Sequence, residues 1–222
     1  MPRNPFTRLG LLIVAALVLA LGVAACGDDS EDSTSSSSAS SEPVAAIDPL
    51  TGVDTSVALD SGFMDALTQL KVTPGVVGDA ELKGTDVSFP ITGGSVTYYD
   101  PKSSVRPYVQ GLINHEGSGL SLTAGGIEVE LTDFVVDPGT SELTGTVTVD
   151  GKEAATDALL FDLDGSTLEP LKANQDGSAT LTGTTVLLSD DAATLLNDTF
   201  GINDLKGGLE IGISTITVGG KA

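Results

Sequence analysis

The side chains able to hold a ligand or move a proton crowd into one short span of this sequence. Tyr98, Tyr99 and Tyr108 are all of its tyrosines, His115 is its only histidine, and Arg106 is its only arginine beyond residue 8. Phenol, imidazole and guanidinium groups are the ones that hydrogen-bond a polar ligand or ligate a metal. Tyr98, Tyr99, Arg106, Tyr108 and His115 therefore form the candidate ligand-binding set. A plainer reading of His115, within Ile113-Asn114-His115-Glu116-Gly117-Ser118, makes it a hydrogen-bonded loop residue. Ser118 lies near His115, but there is no Gly-x-Ser-x-Gly elbow, and a triad is defined by geometry rather than by its members' presence. No catalytic residue is assigned, and the protein reads as non-enzymatic.

Metal chemistry fares no better. Asp162-Leu163-Asp164-Gly165 and Asn174-Gln175-Asp176-Gly177 imitate part of a calcium loop. The outer ligand positions hold Leu160 and Leu171 in the first and Lys172 and Gly183 in the second, where carboxylates are needed. Both segments read as hairpin turns. A single histidine argues against zinc, and no phosphate-cradling glycine loop is present. Neither a metal nor a cofactor is expected from the residues themselves.

Cys26 is the remaining reactive side chain and the only cysteine. It closes an apolar run from Leu9 to Ala25 that follows Arg3 and Arg8 and is broken by Gly10 and Gly22. Basic lead, apolar run and small-residue ending are the secretory pattern. The far flank, Gly27-Asp28-Asp29-Ser30-Glu31-Asp32, lacks the basic residues that would stop a spanning helix. Val23-Ala24-Ala25-Cys26 resembles the bacterial lipobox, whose cysteine receives a diacylglycerol thioether before cleavage in front of it. The resemblance implies a signal peptide over residues 1–25 and lipidation of Cys26. It places the protein at the outer face of the bacterial cell membrane, held by its acyl chains. Residues 26–46, rich in Ser and Asp, then form a disordered tether with nothing to bury. A folded body over residues 47–222 follows.

Charge narrows the partners. The chain has 31 acidic and 10 basic residues. Removing residues 1–25, whose only charges are Arg3 and Arg8, takes the net from −21 to −23. Nucleic acid demands clustered Lys and Arg, so it is excluded as a partner. An anionic bilayer would also repel this surface, which leaves attachment to the lipid at Cys26. Without another cysteine there is no disulfide framework.

The elements that must position the candidate residues are mostly strands. Ile127, Val129 and Leu131 alternate with Glu128, Glu130 and Thr132, the cleanest period-two pattern in the chain. Strands are also expected at 55–59, 71–73, 87–91, 95–99, 108–114, 120–123, 143–149, 159–163, 179–182 and 209–218. Two short helices interrupt them. One carries Phe63, Leu67 and Leu70 on one face behind Asp60 or Ser61, and the other follows Ser189. Both helices follow a strand, a pairing that suggests either duplication or a shared way of closing a sandwich. The expected fold is all-β: a single antiparallel β-sandwich with two short helices.

Three stretches carry a family resemblance. They are Phe89-Pro90, then Gly111 to Leu122 around His115, then Leu131-Thr132-Asp133-Phe134-Val135-Val136-Asp137. Together with the strand from Leu209 to Val218 they are similar to the later half of HtaA-type domains. These are β-rich haem-binding modules exported by high-GC Gram-positive bacteria. The resemblance implies a haem iron held by a tyrosine of an early Ser-Phe-Arg-x-Tyr-like motif, with the histidine supporting it. Here Ser104-Val105-Arg106-Pro107-Tyr108 has that character but follows Phe89-Pro90, and no tyrosine precedes Phe89. Three functions compete: a non-catalytic module binding a small ligand or an envelope protein, a haem relay using Tyr98 or Tyr108 with His115, and a carrier of lipid.

Overall fold

Alternating apolar and polar residues govern the chain from residue 45 onward, and antiparallel strands are the result. The structure is a computed structural model that describes residues 42–219. The expected signal segment, Cys26 and most of the expected tether lie outside the described residues. In chain order the elements are β1 (Ala45–Ile47), β2 (Gly52–Leu59), α1 (Ser61–Leu70), β3 (Thr73–Gly78) and β4 (Glu81–Lys83). Then come β5 (Asp86–Pro90), β6 (Gly93–Tyr98), β7 (Val109–Ala124), β8 (Ile127–Asp137) and β9 (Glu142–Val149). The last are β10 (Lys152–Asp164), β11 (Lys172–Ala173), β12 (Ser178–Leu188), α2 (Asp190–Phe200) and β13 (Glu210–Gly219).

All-β architecture with two short helices is what the structure shows, and its layers come from one continuous sheet. The strands run β1-β6-β7-β8-β9-β10-β12-β13-β2-β5-β4, with β3 on β7 and β11 on β12, and every pairing is antiparallel. Such a sheet twists and curls. β5, next to one end of the order, packs beside β7, near the other, and Thr92, on the connection from β5 to β6, donates its N–H to the Asn114 carbonyl at 2.8 Å. The result is a half-barrel.

Both helices close the same end. β2 and β12 flank β13 and run antiparallel to it, so the helix following each leaves from the same side. That shared geometry accounts for the two look-alike strand–helix passages. Asp60 caps α1, its Oδ1 accepting from the Phe63 N–H at 3.1 Å, and Phe63 and Leu67 turn inward. Lys71 ends this helix in the left-handed region at φ 59°, so the following strand begins at Thr73 rather than Lys71. Ser189 caps α2 through the Ala192 N–H at 3.0 Å and donates to the Leu159 carbonyl at 2.8 Å. Phe63, Leu67, Ala192 and Leu196 join Val129, Val147 and Leu160 in the main core, while Leu50, Ile91, Ile113, Val136 and Val218 form a second cluster.

Other local expectations are revised. The strands expected at 108–114 and 120–123 are one, β7, sixteen residues long. Asp162-Leu163-Asp164 is the end of β10 rather than a hairpin turn, whereas residues 174–177 do turn between β11 and β12. The sheet also begins at Ala45, two residues before the expected start of the body, and Val44 N–H already bonds the Tyr98 carbonyl at 2.8 Å.

Candidate functional site

β7 carries the site, and its alternation decides which residues face inward. Val109, Ile113 and His115 are buried at odd positions, while Leu112 and Glu116 are exposed. A bulge follows, where the β7–β8 register shifts between His115 and Gly119. Beyond it the parity flips, and Ser118 and Leu122 point inward instead. Gly117 makes this possible at φ 73°, its N–H donating to Asp133 Oδ1 at 2.9 Å and its carbonyl accepting from the Asp79 N–H at 3.1 Å. His115 is thus not a loop residue but a strand residue, 1% exposed. The Asn-His-Glu-Gly spelling suggests a turn, yet the run Val109-x-Gly111-x-Ile113-x-His115 holds the inward period.

Inside the half-barrel, His115 Nε2 and Thr55 Oγ1 share a hydrogen bond of 2.8 Å. Thr55 comes from β2, where it shares the inward parity of Val57. Sequence reasoning missed it, although a polar residue on the apolar face of a strand was the available signal. Burial holds the imidazole pKa down from 6.5 to about 4, so the ring is neutral at physiological pH. The Phe134 backbone, opposite His115 in the register, favours the charged ring but makes no hydrogen bond of adequate geometry. His115 Nδ1 therefore has no hydrogen-bond partner among the described residues. The ring packs edge-on to Phe89 at 6.4 Å, and Phe89–Phe134 and Phe134–Phe161 continue the aromatic row at 5.2 and 6.3 Å.

These side chains line a cavity of about 280 Å³. Val57, Val87, Phe89, Phe134 and Phe161 surround its deep part, and Ile47, Val96, Leu143, Leu163, Ile216 and Val218 continue the wall outward. Exposed lining residues mark the mouth at Pro107, Ser141 and Gly165, away from the helix-closed end. Tyr98 and Tyr108 stand on this side, their rings perpendicular with centroids 6.0 Å apart. Burial, with Tyr98 alongside, raises the pKa of the Tyr108 hydroxyl, which stays protonated.

Of the five candidate residues, Tyr98, Tyr108 and His115 border this one cavity, while Tyr99 and Arg106 do not. Arg106 instead clips its own loop, donating to the carbonyls of Ser103 at 2.8 Å, Val105 at 2.6 Å and Pro101 at 3.0 Å. The tyrosines do not stand beside His115. Tyr98 is in register with Val109, and His115 lies six residues further along β7, about 20 Å at the rise of an extended strand. Ser118 Oγ donates to the His115 carbonyl at 3.1 Å, so the serine is turned to the backbone and not to the ring.

No known family profile matches the chain. No curated protein matches its sequence. Among solved structures, the C-terminal domain of HtaA from Corynebacterium glutamicum is similar at a TM-score of 0.50 and 15% identity, covering 77% of this chain and 99% of that one. The heme-binding protein HtaB from the same organism is similar at a TM-score of 0.46 and 13% identity, covering 80% of this chain and 96% of that one. The expected resemblance to HtaA-type domains holds at the level of the fold: this chain has the fold of the HtaA C-terminal domain.

Proposed function

We propose that this protein is a non-catalytic binding module that takes an apolar ligand into its half-barrel outside the cell membrane. The observation that carries the reading is the cavity of about 280 Å³ whose walls are mostly Val, Leu, Ile, Phe and Tyr. Ligand sites are concave, mostly apolar and furnished with a few placed polar groups. Tyr98, Tyr108 and the Thr55–His115 pair supply those groups. Covering such walls with an apolar ligand contributes about 25 cal/mol for each Å² removed from water. The lipobox-like ending at Cys26 supports attachment to the outer face of the membrane through an acylated N-terminus.

Haem is the second reading, supported by the sequence resemblance and by an imidazole in the cavity wall. The residues present do not fit iron held by a tyrosine that His115 supports. His115 Nε2 is bonded to Thr55 rather than to a phenol, and both cavity tyrosines stand about 20 Å away along the strand. If haem binds, another arrangement must hold it.

Titration with N-phenyl-1-naphthylamine, an uncharged fluorophore, tests the main reading on the chain from residue 26 onward. Saturable one-to-one enhancement is expected, and Ala179→Trp, which fills the cavity from its wall, should abolish it. Enhancement that never saturates, or that Ala179→Trp leaves intact, would remove the cavity as the site. A Soret band appearing on addition of haem, and lost in His115→Ala, would favour the second reading.

A further inference from the structure

Resting on that binding role, we infer that the ligand is uncharged throughout: a neutral lipid such as a long-chain alcohol or an acylglycerol, rather than a fatty acid or a dicarboxylate. Among the described residues, no Lys, Arg, Asp or Glu contributes to the cavity lining. Its polar groups are hydroxyls and the one imidazole. Thr55 and His115 are engaged with each other deep in the wall; the other lining hydroxyls are those of Thr184 and Ser214 and of Tyr98, Tyr108 and Ser141, the last three on the mouth side where a polar head would sit.

Among the described residues, no cation lines the mouth either. Arg106, the base nearest Pro107, spends its guanidinium on three backbone carbonyls of its own loop. Lys172 pairs with Glu169 at 3.0 Å, and Lys102 is exposed outside the lining, on the same turn as the carboxylate of Asp100. Carboxylates of Asp100, Asp137 and Asp164 lie on the same loops, each accepting backbone N–H bonds within its own turn. A carboxylate drawn into this wall would lose its water without gaining a partner, which disfavours it or forces it to take up a proton. A hydroxyl or ester loses far less and finds phenolic donors and acceptors in place.

Displacement of N-phenyl-1-naphthylamine by oleyl alcohol, oleate and haem at pH 7.5, each below its aggregation threshold, tests this. Oleyl alcohol should displace the probe at a concentration at least about tenfold lower than oleate. Lowering the pH to 5.5 should strengthen oleate and leave the alcohol unchanged. Ser141→Lys, placing a cation at the exposed mouth, should narrow the gap by favouring oleate. Oleate or haem displacing the probe as well as the alcohol does would overturn the inference and leave the binding role standing. If the probe itself never binds, both fall together.

Discussion

Thr55 and His115, sixty residues apart in the chain, share a 2.8 Å hydrogen bond that ties β2 to β7 across the interior of the half-barrel. Neither side chain reaches water to any extent, with exposures of 6% and 1%. A buried pair of this kind is worth little beyond an apolar pair of the same shape, but breaking one side of it is costly.

The first prediction follows from that asymmetry. Thr55→Val strips His115 of its partner and should destabilise the protein by about 1–3 kcal/mol. His115→Phe should cost a similar amount by orphaning the Thr55 hydroxyl. The double variant should lose less than the sum, with a coupling of at least about 0.5 kcal/mol in urea denaturation. Strict additivity would mean that the two groups do not depend on each other.

A second prediction concerns pH. The folded chain holds His115 neutral down to about pH 4, against 6.5 for the free side chain. As the pH falls below 6.5, the unfolded chain takes up a proton that the folded chain refuses. Stability contributed by the neutral ring is therefore complete above pH 6.5 and lost on the way down to about pH 4. The span is worth about 3 kcal/mol. Urea denaturation between pH 7.5 and 4 should show the wild type losing this much more than His115→Phe does. A constant difference between the two would contradict it.

The third prediction tests the early strand. β1 pairs with β6, Ile47 packs in the second cluster, and Ala45 and Ile47 line the cavity. A chain beginning at Asp48 should be about 2 kcal/mol less stable than one beginning at Glu42. It should also bind N-phenyl-1-naphthylamine more weakly. Equal melting of the two chains would show β1 to be dispensable.

Cys26 supplies the fourth. Cys26→Ala should move the protein from the detergent-soluble membrane fraction into the medium, or block its processing. Recovery of the variant in the membrane at wild-type levels would rule out the acyl anchor.

Local chemistry makes much of this protein legible in its residues alone. Period-two alternation announces β8 because each inward Val129 and Leu131 sits beside an outward charge or hydroxyl. Asp60 and Ser189 announce their helices because a cap needs only a side-chain oxygen three residues before a free N–H. The gathering of tyrosines and histidine near residue 100 is also visible, since it depends on composition alone.

Tertiary structure decided the rest, because the relevant distances cross the sheet. Whether strands of one pattern form two sheets or one curled sheet depends on pairing partners far apart in sequence, such as β13 with β2. A single bulge at Gly117 flips the parity of β7, and nothing in a local window says on which side of it His115 falls. Tyr108 and His115, neighbours in sequence, end up far apart because an extended strand separates its residues by about 3.3 Å each. Thr55, remote in sequence, becomes the partner of His115 because the curled sheet brings the inner faces of β2 and β7 together. The chain's own spelling marked where chemistry could be sited; only the curl of the sheet determined which of those groups meet.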